Sequence, residues 1–175
     1  MSENCTIVHV LSTPRAEGCP RLSLDLIHAQ REVDGVRTIV LFLQKDPPEL
    51  LEEFERAADE IGIIGPWRVK RFAQVFLTSL KELRRCKPKG IICFPIGPHV
   101  PLGVAARILR IPVVLHIGNS PPSDSGARRK LRLTLKAGEP LVRKHLACSE
   151  FVAGASRDAY GLRKVEAVPN GVVLD

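Results

Sequence analysis

The sequence predicts an α/β fold, a doubly wound and mostly parallel sheet of about six to seven strands with helices on both faces. Three observations predict it. Short runs rich in Val, Ile and Leu alternate with longer amphipathic segments from one end of the chain to the other. Those runs are short and mostly apolar, as strands buried on both sides are. Successive runs are far enough apart for a helical crossover, the connection that parallel strands need. At 175 residues, with no internal repeat or low-complexity tract, residues 1–175 read as a single domain.

Residues 6–11 are the first buried strand, closed by Ser12, Thr13 and Pro14. Leu22, Leu26, Ala29 and Val33 recur at helical spacing and predict a helix over residues 22–33, ended by Asp34 and Gly35. Residues 36–43 form the second strand. An acidic helix follows over residues 48–61, with Glu49, Glu52 and Glu53 at its dipole-favoured start. An outer strand is expected around Ile63 and Ile64. Residues 67–86 read as a long basic helix with Val69, Phe72, Val75, Phe76, Leu80 and Leu83 mostly on one side, stopped by Pro88. Strands at residues 90–94, 111–116, 145–148 and 165–168 complete the sheet. Helices at residues 101–109 and 125–141 lie between them, and Ser149 caps a last helix running to Tyr160.

No run reaches the roughly 18 uninterrupted apolar residues of a spanning helix. The stretch from Gly90 to Ala106 is broken by Pro95, Pro98, His99 and Pro101. The opening residues, Met1 to Cys5, show no basic-then-apolar leader. Five cysteines, odd in number and never in a C-x-x-C pair, argue against a disulfide framework and point to a reducing cytoplasm. Charge is uneven. Residues 1–66 carry 6 basic and 12 acidic side chains, and residues 67–175 carry 20 and 7. The basic part suggests an anionic partner, a lipid surface, a phosphorylated substrate or nucleic acid, with a merely solvated surface as the other reading.

Ligands of open α/β sheets gather outside the carboxyl ends of the strands. The first such loop holds Gly18, where backbone approach and a helix start would suit an anion; a plain turn glycine is the alternative. The sequence has neither a G-x-G-x-x-G fingerprint nor a P-loop, which disfavours an oxidoreductase and a P-loop nucleotidase. The loop after residues 111–116 is richer. His116 should project near the sheet edge, Gly118 permits close approach, and Asn119 and Ser120 offer hydrogen bonds. A core histidine satisfied by a carbonyl is the other reading of His116. His99 lies past the preceding strand and could face the same crevice. His9, His28 and His145 read as structural. Ser149 would present the start of its helix to the same edge, or act as a cap alone. The histidines have no metal-ligand spacing, so no metal is expected, nor a cofactor.

In this order the segments resemble the N-terminal domain of glycosyltransferase family 4, a two-domain GT-B fold. Residues 7–14 with Gly18, and Val33-Asp34-Gly35-Val36, resemble that family's opening strand, loop and return. Residues 87–92, residues 105–116, Ala147 to Val152 with Tyr160-Gly161, and Val168 to Val172 resemble its later motifs. Cys19 stands where a second glycine is common, Lys89 where aspartate is frequent, and Val173 where aspartate is common. The resemblance implies the acceptor-binding half of a retaining glycosyltransferase, acting on a nucleotide sugar and a saccharide or lipid-linked acceptor. It further implies a donor-binding C-terminal domain absent from this sequence, and a 175-residue chain that is inactive alone. By position, His116 would hydrogen-bond the transferred sugar or orient the acceptor. Gly18 and Cys19 would approach the donor, and Gly118, Asn119 and Ser149 would line the cleft. The basic segments would then meet an anionic membrane leaflet or a lipid phosphate, giving a peripheral inner-face location beside the cytoplasmic one. Two other classes stay open: a non-catalytic partner or regulatory subunit, and a basic nucleic-acid module, the latter disfavoured by the missing recognition motifs.

Overall fold

Alternate residues along each strand point to opposite faces, so a sheet covered on both sides needs apolar residues at every position. The computed structural model describes residues 5–170, and its central strands are largely apolar, with His9, Thr38 and His116 among the buried polar exceptions. The strands are β1 (Cys5–Leu11), β2 (Val36–Phe42), β3 (Glu60–Ile63), β4 (Gly90–Cys93), β5 (Val113–Ile117), β6 (Lys144–Ala147) and β7 (Val165–Ala167). All pair in parallel, in the order β3-β2-β1-β4-β5-β6-β7. The helices between them are α1 (Gly18–Arg31), α2 (Leu51–Ala57), α3 (Phe72–Cys86), α4 (His99–Ile108), α5 (Ser125–Gly138) and α6 (Glu150–Tyr160). This is a doubly wound, Rossmann-like architecture, as the sequence predicts. Gly171, Val172 and Val173 of the closing motif, and Met1 at the other end, lie outside the described residues.

Two cores flank the sheet. On one face Val8, Val10, Ile39 and Leu41 pack against Leu83, Leu102, Leu135 and Val152 from α3, α4, α5 and α6. On the other, Leu11, Val40 and Phe42 meet Leu24 and Ile27 of α1 and Phe54 of α2. Phe42 and Phe54 meet edge-on, with ring centroids 5.1 Å apart, a geometry worth about 1 kcal/mol beyond the area it buries. Among the described residues no helix is long and apolar enough to cross a membrane.

Helices α1, α2 and α3 differ from the sequence expectation. Helix α1 begins at Gly18, four residues early, and buries Pro20, Ser23, Leu24 and Ile27 while Ala29 and Val33 are exposed. The reason is polar. His9, central in β1, has its Nδ1 2.8 Å from the Ser23 hydroxyl and its Nε2 3.1 Å from Gln30 Oε1, which draws the Ser23–Gln30 side of α1 inward. The acidic helix is only α2, because Asp59 and Glu60 serve the sheet edge instead. Asp59 Oδ2 accepts the Thr38 N–H at 2.7 Å and Glu60 pairs with Arg37 at 2.9 Å. The long basic helix is split into a single 3-10 turn at Val69–Arg71 and α3 proper.

Candidate functional site

Parallel strands end on one rim, so the loops after β1, β5 and β6 are neighbours there. The loop after β1 is held by the residues leading into α2: the Ala16 N–H donates to Glu49 Oε2 at 2.8 Å, and the Leu50 N–H donates to Pro14 O at 2.7 Å. That anchoring sets where α1 starts. A cavity of about 240 Å³ opens beside it, lined by Glu17, Gly18, Cys19 and Leu22 on one side and His116, Gly118, Asn119 and Asn170 on the other.

His116 lies one residue before the end of β5, 8% exposed, with its ring 5.3 Å from that of Phe94. Gly118 shapes the floor. A Cβ placed there would lie 3.3 Å from His116 Cε1 and 3.4 Å from Cys19 Sγ, so the imidazole and the thiol meet over one backbone position. Burial lowers the His116 pKa, and the Asn170 side chain opposes that shift without reaching hydrogen-bond geometry. The ring is therefore neutral at neutral pH, with one N–H to donate and one nitrogen to accept. Both nitrogens are buried without a hydrogen-bond partner among the described residues. An unmatched buried polar group costs about 1–3 kcal/mol, which a ligand hydroxyl would recover.

Gly18 is the first residue of α1, with the N-cap at Glu17, and a Cβ on it would meet nothing within 4 Å. Packing does not require glycine there; the missing side chain leaves the helix start open to the cavity. The first amides of a helix have no intrahelical acceptor and carry its positive dipole end. No Lys or Arg lines the cavity, so positive potential there comes from these amides. Cys19 is no nucleophile in waiting. Burial first, then Cys148 and Glu17, raise its thiol pKa. Among the described residues no group of three His, Cys, Asp or Glu is arranged to hold a metal ion.

Three of the residues expected here do not line this cavity. His99 is fully buried: its Nδ1 accepts the Gly97 N–H at 2.9 Å, and its ring lies under Gly138 of α5. Helix α4 starts at His99 instead of Pro101, and that turns the ring inward. Burial, then His145, lowers its pKa to about 4. Ser149 shares the rim but is used as a cap, its Oγ accepting the Val152 N–H at 3.2 Å. Ser120 is exposed in the loop beyond Asn119, outside the cavity lining. Sequence reasoning passed over Glu17, Leu22, Asn170 and Cys148, whose thiol donates to Gly118 O at 3.3 Å. Asn170 stood within the Val168–Val172 motif and Cys148 within the Ala147–Val152 motif, so these two had a visible signal.

The sequence model of Glycosyltransferase Family 4 matches residues 17–175. No curated protein matches the sequence significantly. Among solved structures, Anabaena Alr3699/HepE in complex with UDP superposes with a TM-score of 0.75 at 17% identity, over 95% of this chain and 44% of that one. The UDP-GlcNAc 2-epimerase of Neisseria meningitidis bound to UDP-GlcNAc gives 0.65 at 13%, over 94% and 47%. MurG of Acinetobacter baumannii gives 0.59 at 14%, over 85% and 42%. These likenesses concern the fold, and this chain spans less than half the length of each of the three proteins. With its family model matched from the start of α1 through the last residue, the chain belongs to Glycosyltransferase Family 4.

Proposed function

We propose that this chain is the acceptor-side half of a retaining glycosyltransferase that moves a sugar from a nucleotide-sugar donor to a saccharide or lipid-linked acceptor. The observation that carries the reading is the meeting of His116, Gly118 and the open start of α1 in one rim cavity. Neutral His116 donates to or accepts from a hydroxyl of the transferred sugar, or orients the acceptor. The Gly18 and Cys19 amides approach the donor diphosphate. That diphosphate needs cations as well, and the cavity lining has none, so a second, donor-holding domain supplies them. Hence the 175-residue chain alone transfers no sugar. Cys19 is a neutral thiol, which fits a front-face reaction without a protein nucleophile.

The test is transfer of label from UDP-hexoses to added glycosides by the intact protein with its donor-holding domain, with product anomers read by NMR. Retained configuration is expected. Inverted product, or robust turnover by the 175-residue chain, would overturn the assignment. The reading includes contact with an anionic bilayer, favoured by exposed Arg128, Arg129, Lys130 and Arg132 beside exposed Leu133 on α5. Basic side chains at such a surface contribute about 1 kcal/mol each. Co-sedimentation with anionic but not neutral liposomes checks it, and equal weak binding to both removes it.

A further inference from the structure

A second hollow on the same rim has no part in the site above. Its volume is about 250 Å³, and its walls come from the ends of several strands. Ser12 and Thr13 follow β1, Leu43 and Gln44 follow β2, Pro95 to Pro98 follow β4, and Trp67 lies between β3 and α3. It therefore straddles the β1–β4 boundary, where the strand order reverses and open sheets form their natural crevice.

We propose that this hollow is the acceptor subsite and that it takes the ring of a neutral hexopyranoside, stacked on Trp67. The inference rests on the glycosyltransferase reading and gives its acceptor a chemical class. Trp67 is seated by Gly97, whose φ is +107°; a Cβ there would lie 2.6 Å from the indole Nε1 and 3.3 Å from Cδ1 and Cε2. A side chain at Gly97 would push the indole out of place, so the glycine serves both the backbone turn and the ring's position. In the lining of the hollow the polar groups are neutral. Gln44 Nε2 donates to Asp46 O at 3.1 Å, which fixes the amide and leaves Oε1 to accept. Among the described residues, the Ser12 and Thr13 hydroxyls and the indole N–H make no hydrogen bond of their own.

This chemistry matches a pyranose, which has an apolar C–H face for an indole and hydroxyls around its edge. A phosphate or carboxylate would find no charged residue in the lining. The place also suits transfer. Phe94, 5.3 Å from the His116 ring, immediately precedes Pro95 in the wall of the hollow, so one residue links that wall to the catalytic candidate.

Trp67 is the chain's single tryptophan, so its emission reports this hollow alone. The chain is titrated with methyl glycopyranosides of glucose, galactose, mannose and N-acetylglucosamine, and in parallel with inorganic phosphate. A saturable change with at least one glycoside and none with phosphate is expected. Gln44→Ala, which keeps the reporter, should weaken that binding several-fold. Trp67→Ala, followed by saturation-transfer NMR on the glycoside protons, should weaken it about tenfold or more, with circular dichroism confirming the fold. No saturable response to any glycoside, a response to phosphate alone, or binding unchanged by both substitutions overturns the subsite. The transfer assay separates this outcome from failure of the parent reading. Absent transfer by the intact protein sinks the enzyme, whereas normal transfer with an acceptor KM indifferent to Gln44→Ala and Trp67→Ala sinks only the subsite.

Discussion

Two histidines in this protein lie against glycines, and they do opposite things. On the rim, His116 packs on Gly118 at a contact a methyl group would only crowd, beside a cavity. In the interior, His99 packs under Gly138 so closely that a Cβ would come within 2.1 Å of its Nε2. Each ring has orphaned nitrogen: both atoms of His116, and Nε2 of His99. The difference is what surrounds them. His99 is walled by α4 and α5 and tied to the Gly97 amide, so its glycine is a packing requirement. His116 ends a strand where only loops follow, and its neighbour Gly18 faces open space. Packing therefore demands glycine at position 138, whereas at position 18 it does not.

Substitutions can break that contrast. The largest effect expected is on transfer by the intact enzyme. His116→Ala should lower kcat about 10²–10³-fold, as loss of a preorganised hydrogen-bond partner does, while leaving the urea midpoint near wild type. A change in stability without one in rate would place His116 with His99, in the core.

Acid should act on the interior first. Burial holds the pKa of His9 and His99 at about 4, below the ordinary 6.5. Above 6.5 both are neutral, folded or unfolded, and contribute no pH dependence. Below it the unfolded chain takes protons more readily, so stability falls between pH 6.5 and about 4, by roughly 3 kcal/mol for each histidine. Urea unfolding at pH 7 and pH 4.5 measures the loss, and His9→Gln should make it shallower. Equal stability at the two pH values would show that neither ring is sealed from water.

Gly138→Ala comes next, costing about 1–3 kcal/mol because the buried His99 ring has nowhere to go. It is read as a lowered thermal midpoint. Smallest in stability is Gly18→Ala, expected within about 1 kcal/mol of wild type and on the favourable side, since alanine suits a helix better. Its rate with nucleotide sugar should still fall. Unchanged kcat/KM would mean that the open helix start is not used.

The sheet was legible because buried parallel strands are written as local runs: residues 6–11, 36–43 and 90–94 all returned as strands near their expected bounds. Gly35 was legible for a similar reason, and its φ of 78° is the left-handed turn that ends the α1 region. The buried side of α1 was not. Ser23 and Gln30 look like surface residues until His9, a strand away, is seen to hold them. His99 misled in the opposite direction, since its place after β4 suggested the rim while a two-residue shift in the start of α4 buried it. Nor did the order of residues show that Trp67 and Gly97, thirty positions apart, would make one surface.

Local patterns of apolar and turn residues thus sufficed for the parallel architecture and for the candidacy of Gly18, His116 and Gly118, because each depends on near neighbours in the chain. Which rings were sealed and which opened on a cavity was left to packing between distant elements. A side chain's burial depends on the seat of the next helix, and periodicity carries no record of that.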